Sequence, residues 1–476
     1  MNTLRVKAFV DRGLGNSAYL IISEETGLAA VIDPQRDIDR YLQTAEGLGL
    51  RIIYALDTHL HADFVSGARE LAARIESSAT PLRIGASAEA DLQFDYVPLR
   101  EGSALPLGEW SIGVMATPGH TPEHVSYTVG LNHSATPQAI FSGGALIVGG
   151  AARTDLLGPE HSEPLAYQLY HTIHDKLLQL DDDVQVYPTH GSGSFCAAPA
   201  STERVTTIGR ERQSNRFALT RSPEEFVRLA LTGLPSYPIY YRYMRQVNRQ
   251  GPRVLGGVPI IRPLSPQQVD EHISNGGVII DVRSPREFAS GHITGAYGIP
   301  LAAPLITWAG WVVPFGSPIV LVTNSEAERE EATRQLIRIG YDEVRGYLEG
   351  GLPAWQAERL PTTRAEMITK EELNGWMQRK AAPLVWDVRF DSEWNAGHLP
   401  NAQHIEAGHI KALAPARIPR DQPVVIHCGA ANRATVSVSL LEQLGYRNIR
   451  VLDSGFNGWQ AAGYEIVQDS LLEKVV

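Results

Sequence analysis

Cysteine is nearly missing from this chain: there are two, Cys196 and Cys428, in 476 residues. So few thiols, so far apart, exclude a disulfide framework and suit a reducing, cytoplasmic setting. Long apolar runs are missing too. No stretch reaches the roughly 18 residues that a membrane-spanning helix needs. The opening Met1-Asn2-Thr3-Leu4-Arg5-Val6-Lys7 lacks the apolar centre of a secretion signal. Positive charge is in the minority, with 42 Lys and Arg against 53 Asp and Glu and a net charge of -11. Nucleic acid and anionic membrane are therefore excluded as expected partners. What is there is globular, 43% hydrophobic and 20% charged. The length is too great for one core and predicts about three domains.

The first half alternates strand and helix patterns. Strands are predicted over 18–22, 29–32, 52–56, 111–116, 125–129 and 184–187, and helical periodicity over 165–178. This alternation predicts an α/β sandwich with its ligands on loops at strand ends. Residues 237–259, rich in Tyr, Arg, Gly and Pro, read as a linker. The second half repeats itself. Asp281-Val282-Arg283, Glu287 and Gly291-His292 recur as Asp387-Val388-Arg389, Glu393 and Gly397-His398, with seven of sixteen positions identical at an offset of 106. The copies also close alike, Gly350-Gly351-Leu352-Pro353-Ala354-Trp355 against Ser454-Gly455-Phe456-Asn457-Gly458-Trp459. A repeat of about 100 residues is a duplicated domain, because solenoid units run to about 20–50. The expected domains are 1–245, 262–362 and 366–474.

In the second copy an apolar strand over 424–427 leads directly into Cys428-Gly429-Ala430-Ala431-Asn432-Arg433, and a helix pattern follows. A thiol between a strand and a helix N-terminus is useful. Loop N–H groups and the helix dipole stabilise negative charge, small residues let the loop wrap the sulfur, and Arg433 adds a fixed cation. With Asp387-Val388-Arg389, Gly397-His398 and the closing Gly455 to Trp459, this segment resembles a rhodanese sulfurtransferase domain. The resemblance implies that Cys428 carries a persulfide sulfur between donor and acceptor, with Gly429, Ala430, Ala431 and Asn432 forming the loop around it. The six-residue loop has the family's sulfur-transfer length. Ala431 departs from the family, where glycine is common, and its methyl group can strain or narrow the loop. The alternative for Cys428 is a structural thiol buried after a strand. In the first copy Thr323 replaces the cysteine, and Glu326 and Glu328 follow it. A hydroxyl without an adjacent base cannot carry persulfide sulfur, so this copy is expected to serve packing or docking.

Near the N-terminus, Thr58-His59-Leu60-His61-Ala62-Asp63-Phe64 follows an apolar strand. Histidines at i, i+2 past a strand end can turn toward one ion, with Asp63 within reach. This pattern resembles the metallo-β-lactamase fold, an αββα sandwich, in which the residue at Phe64 is normally another histidine. Thr117-Pro118-Gly119-His120-Thr121-Pro122-Glu123-His124 and Val186-Tyr187-Pro188-Thr189-His190-Gly191 match the loops that supply further ligands. The set resembles the persulfide dioxygenase and glyoxalase II branch, and the rhodanese fusion favours the dioxygenase side. Two departures stand out. Gly144, in Phe141-Ser142-Gly143-Gly144-Ala145-Leu146, occupies the place of the bridging aspartate, and Phe64 removes a second-site histidine. His59, His61 and His120 remain as a one-metal set suited to Zn²⁺ or, by analogy with thiol dioxygenases, Fe²⁺. Asp63 is left as an outer partner or substitute ligand, and His190 stays on the second-metal side. The alternative is a metal-free site. Arg153 matches an arginine of the family and is a candidate anion anchor. His124, His133, His161 and His171 read as surface or core residues. Cys196, six residues past His190, has two readings, a sulfur relay or a space filler.

The expected protein is thus a cytoplasmic enzyme of sulfide or persulfide metabolism. A sulfurtransferase on Cys428 is coupled to a persulfide dioxygenase-like domain with at most one Fe²⁺ or Zn²⁺. Its expected substrates are a low-molecular-weight thiol persulfide or thiosulfate. The alternatives are a thioester hydrolase of the hydroxyacylglutathione type, or a metal-free persulfide carrier. The Tyr-rich linker leaves a homo-oligomer open.

Overall fold

The computed structural model describes residues 3–75, 81–197 and 201–468. Met1 and Asn2 of the N-terminal stretch, and residues 469–474 of the third expected domain, lie outside them. The chain divides into two compact units, Met1–Pro259 with Ile337–Gly340 and Ile260–Leu336 with Tyr341–Val476.

The first unit holds two six-stranded sheets. One runs Arg5–Asp11, Asn16–Ser23, Leu28–Ile32, Arg51–Leu56, Arg83–Ser87, Val97–Leu99. The other runs Thr206–Thr207, Gln185–Pro188, Ala139–Gly143, Val125–Leu131, Trp110–Ala116, Ala104–Leu107. Period-two packing explains why Asn16–Ser23 is apolar and buried throughout. Tyr19 and Ile21 face the layer between the sheets, with Trp110, Tyr127 and Phe141. Ala18, Leu20 and Ile22 face the helices Asp39–Gly47 and Ala68–Ile75 through Tyr41, Ala45 and Leu71. The outer face of the second sheet takes Pro159–His171 and Pro223–Leu231 through Ala166, Leu169, Phe226 and Ala230. Each fully buried large side chain contributes about 1.5–3 kcal/mol. The result is the expected αββα sandwich. The helical stretch expected over 165–178 is a helix to His171 that continues as a π turn, Thr172–Lys176, and a short 3₁₀ turn, Leu177–Gln179.

Strand direction gathers the functional loops. Leu28–Ile32 and Arg51–Leu56 are parallel, so Asp33 and Asp57 leave the first sheet at the same edge. Ala139–Gly143 and Gln185–Pro188 are parallel, with Gly143 opposite Pro188. Trp110–Ala116 reaches Ala139–Gly143 through two antiparallel pairings and so shares its direction. The loops carrying His120, Gly144 and His190 therefore leave the second sheet together.

Residues 237–259, read above as a linker, instead carry a helix, Tyr241–Gln250, that belongs to the first unit. It clamps the histidine loop: Asn248 Nδ2 donates to the carbonyls of His61 and Phe64, each at 2.9 Å, and Tyr240 Oη donates to the Asp63 carbonyl at 2.6 Å.

The second unit contains the duplication as two parallel five-stranded sheets. One runs Pro263–Leu264, Val344–Leu348, Ile319–Val322, Val278–Asp281, Tyr297–Gly298. The other repeats that order as Glu366–Ile368, Ile449–Leu452, Val424–His427, Leu384–Asp387, Gln403–His404. The register repeats as well, Asp281 opposite Val322 and Asp387 opposite His427. The copies touch where His292 Nε2 meets Glu442 Oε2 at 2.7 Å and where Trp308 stacks on Phe390. Among the described residues no helix is long and apolar enough to cross a membrane.

Candidate functional site

Four histidines converge in the first unit. His59, His120 and His190 offer ring nitrogens that all lie within 4.8 Å of one another, and all three are buried. His59 Nε2 and His190 Nε2 face each other at 3.4 Å. Every Nδ1 of this trio meets oxygen: His59 at Thr58 Oγ1, 2.9 Å; His120 at the Arg153 carbonyl, 2.6 Å; His190 at Asn16 Oδ1, 3.2 Å, and Asp63 Oδ2, 3.3 Å. His61 takes another position. Its Nε2 lies 3.1 Å from Asp33 Oδ1, its ring stacks on Phe64, and its ligand groups are Asp33 with Asp57 and Asp63 with His190.

Burial, reinforced by the neighbouring imidazoles, holds His59 well below its ordinary value. The same causes bring His120 down to about 3. Burial also tends to lower His61, but the Asp33 carboxylate outweighs it and raises the group. The Asp63 carboxyl, which burial would raise, is held low chiefly by His190. Asp57 Oδ1 has no hydrogen-bond partner, and burial pushes that carboxyl up to about 7. Neutral imidazole is the metal-binding form. With His120 Nε2 buried and without a hydrogen-bond partner, the residues present fit a metal ion.

The two departures from the family motif have structural consequences. At Gly144, a Cβ would fall 2.5 Å from His120 Cδ2, 2.9 Å from its Cγ and 3.0 Å from the Ala152 Cβ. The His120 ring fills the space into which a side chain at 144 would project. The Gly144 N–H is capped by His124 Nε2 at 3.0 Å, and the His124 ring stacks on His59. Phe64 is fully buried, its ring 4.1 Å from that of His61.

Arg153 is buried, bidentate to Asp155 at 2.6 and 2.7 Å, bonded to the carbonyls of Phe195 and Pro235, and placed over Tyr237. These contacts brace the loop whose carbonyl orients His120. Cys196 is buried beside Asp63 and Tyr241; burial and the Asp63 charge push its thiol well above its ordinary value. That environment disfavours the thiolate.

In the second unit Cys428 is buried at the end of Val424–His427. The helix Asn432–Gln443 begins just beyond it, with Ala431 as N-cap at φ +67°. Ala431 thus occupies the left-handed region that glycine adopts freely, and an alanine there costs about 1–2 kcal/mol. The closing motif locks the loop: Phe456 N donates to the Cys428 carbonyl at 2.7 Å and Asn457 N to that of Gly429 at 3.0 Å. Gly455 is required, since at φ +55° its Cβ would lie 2.3 Å from the Cys428 carbonyl oxygen. Arg433 forms a two-pronged pair with Glu393 and lies over the Phe390 ring. Burial would raise the Glu393 carboxyl, but the Arg433 contact holds it below its usual range. Behind the thiol, Arg389 is bidentate to Asp387 and lies over Phe456. His427 is fully buried beside them. Neither ring nitrogen is hydrogen-bonded, the nearest carboxylate oxygen is Asp387 Oδ2 at 3.7 Å, and burial pushes the imidazole down.

The first copy keeps the scaffold and fills the cradle. Asp281 and Arg283 repeat the buried pair, but Val322 stands where His427 does and Thr323 where Cys428 does. Counting on from those partners, Glu328 falls at the place of Arg433. Its carboxylate accepts from the Asn324 N–H at 2.7 Å, so the loop caps itself with its own anion.

Sequence reading missed Asn16, Asp33 and Thr58, which orient the histidines, and Glu393 and His427 in the thiol site. Glu393 carried a signal, being one of the repeated identities; Asp33 carried only its place after a strand.

A sandwich with histidine loops at one edge, followed by two parallel-sheet domains of which one bears a thiol loop, defines a metallo-β-lactamase-fold protein fused to a rhodanese pair. The family models agree: the metallo-beta-lactamase superfamily model matches residues 11–190, and the rhodanese-like domain model matches 265–358 and 369–462. The chain belongs to the metallo-beta-lactamase superfamily and carries two rhodanese-like domains. It is 32% identical over 212 residues to the human mitochondrial persulfide dioxygenase ETHE1, covering 44% of this chain and 74% of that one. It is 29% identical to the hydroxyacylglutathione hydrolase GloC of Haemophilus influenzae, covering 42% of this chain and 92% of that one. A metallo-beta-lactamase from Staphylococcus aureus superposes with a TM-score of 0.65 at 28% identity, covering 73% of this chain and 99% of that one.

Proposed function

We propose that this chain is an enzyme of sulfur metabolism in which Cys428 carries sulfane sulfur and the histidine-rich domain processes a low-molecular-weight persulfide. The observation that carries the reading is the thiol cradle: Cys428 ends a buried strand, the loop from Gly429 to Asn432 turns into a helix N-terminus, and Arg433 is held beside it. In the transfer step the Cys428 thiolate attacks the outer sulfur of thiosulfate. A bond between the two sulfurs forms, the sulfur–sulfonate bond breaks, and sulfite leaves with the electron pair. Loop N–H groups and the helix dipole stabilise the anionic persulfide. An acceptor thiolate then attacks the outer sulfur and restores Cys428.

In the first unit a divalent ion would be held among His59, His61, His120 and His190, with Asp63 beside them; bound iron would supply activation of O₂, the oxidant for the persulfide sulfur. The persulfide dioxygenase relative supports that reading. Arg153 orients His120 through its carbonyl. The hydrolase relative supports thioester cleavage as the second reading, but Gly144 leaves no carboxylate there to act as general base.

Sulfur transfer from thiosulfate to a small thiol is expected in the full-length protein and should vanish in Cys428→Ser. Full transfer in that variant would sink the assignment. Oxygen uptake on adding glutathione persulfide supports the dioxygenase reading, and thioester cleavage with zinc supports the hydrolase.

A further inference from the structure

Two guanidiniums stand beside the Cys428 loop, and each is matched by a carboxylate. Arg389, behind the thiol, is bidentate to Asp387 and buried with it. Arg433, at the end of the loop, gives one nitrogen to each oxygen of Glu393. Glu393 is fixed from a second direction, because Phe390 N donates to its Oε2 at 3.2 Å. The Phe390 ring covers one face of the guanidinium, 5.3 Å from Cζ, and stacks in turn on Trp308 of the first copy. The buried His427 imidazole is pushed down by its burial and adds no cation. Arg433, which the sequence offers as a fixed positive charge, is thus cancelled where it stands.

What remains for an anion is the loop N–H groups and the N-terminus of the helix Asn432–Gln443. A helix end is equivalent to roughly half an elementary charge. That suits one anionic sulfur. Thiosulfate brings two negative charges, and its leaving group, sulfite, keeps both of them beside the loop. Coulomb energy scales with the product of the charges, so a dianion gains most from a free cation and loses most when that cation is neutralised.

We propose that Glu393 selects the sulfur donor by cancelling Arg433, so that Cys428 takes sulfur from donors whose reacting end carries at most one negative charge, organic persulfides and thiosulfonates, in preference to thiosulfate. This rests on the reading of Cys428 as the sulfur carrier. With a persulfide R–S–SH, the Cys428 thiolate attacks the terminal sulfur. The new sulfur–sulfur bond forms as the old one breaks, R–S⁻ leaves with the electron pair, and the –SH group ends on Cys428. The leaving thiolate carries a single charge at the loop. Glu393 acts through Arg433 and touches no reacting atom; it is a specificity-determining residue.

The test is the rate constant for loading one sulfur onto Cys428 in the full-length protein, followed by mass spectrometry of quenched samples. The donors are thiosulfate, a dianion, and methanethiosulfonate, a monoanion that leaves as methanesulfinate. Glu393→Gln keeps an oxygen for Phe390 N and removes the charge. It is expected to raise loading from thiosulfate at least about tenfold, the scale of one hydrogen bond gained to a charged group. Loading from methanethiosulfonate should rise less, so the ratio between the donors shifts toward thiosulfate. Added salt should slow thiosulfate loading in the variant, where a cation is exposed to the dianion, but not in the wild type. An equal change for both donors would give Glu393 a structural role only and overturn the proposal, as would an unchanged ratio. A steep fall of wild-type thiosulfate loading with salt would overturn it too, and that series decides the matter alone if circular dichroism shows the variant misfolded. Failure of every donor to load Cys428 would instead strike the carrier reading, and this proposal with it.

Discussion

Restoring the family carboxylate with Gly144→Asp is expected to damage the first unit rather than rebuild a two-metal site. The new Cβ would meet the His120 ring at 2.5 Å. The backbone cannot retreat easily, because Gly144 N–H is held by His124 and its carbonyl accepts from Ala152 N at 2.9 Å. The ring must therefore move, and its 2.6 Å bond to the Arg153 carbonyl is lost. One such hydrogen bond is worth about 1 kcal/mol and overpacking about 1–3 kcal/mol, which gives about 2–4 kcal/mol in all. A domain of roughly this size loses about 2–4 °C per kcal/mol, so the first unit should melt about 4–16 °C lower. Scanning calorimetry of the chelator-treated full-length protein measures this, and metal titration of the same sample follows. An unchanged melting temperature together with a second bound equivalent of metal would refute the steric argument.

Gly455→Ala forces alanine into the left-handed region and against the Cys428 carbonyl. A cost above about 1.4 kcal/mol at the reacting loop should slow sulfur transfer more than tenfold, while circular dichroism stays native; unchanged rates would contradict the close approach. His427→Val installs the residue that the first copy carries there and removes two ring nitrogens without hydrogen bonds. Leaving a buried polar group unsatisfied costs about 1–3 kcal/mol, so thermal melting should show equal or greater stability; a clear loss would mean that the ring is structurally required. In a Cys428→Ser background, Thr323→Cys should give no transfer because Glu328 caps that loop. Adding Glu328→Arg should raise transfer above background; activity from Thr323→Cys alone would show that the acid does not block the cradle.

The sandwich, the duplication and the ligand loops were legible because each leaves a local trace: period-two apolar runs, a repeated Asp-Val-Arg, histidines past strand ends. Phe64 and Gly144 were legible as departures, but their effect was not, because it depends on where the His120 ring packs. Asp33 was invisible for a related reason. It binds Thr58 and Thr189, 25 and 156 residues away, and such contacts impose no periodicity. The helix Tyr241–Gln250 was hidden by composition. Its buried Tyr241, Met244 and Asn248 fall at i, i+3 and i+7, a helical spacing that the surrounding Arg, Gly and Pro obscured.

The central claim is that Cys428 is the sulfur carrier. Mass spectrometry of the intact protein and its peptides, after exposure to thiosulfate and removal of excess reagent, tests it directly. The expected result is one added sulfur atom on the peptide containing Cys428, released by a small thiol, with the Cys196 peptide unchanged. A sulfur found on Cys196 instead, or on neither cysteine, would contradict the account.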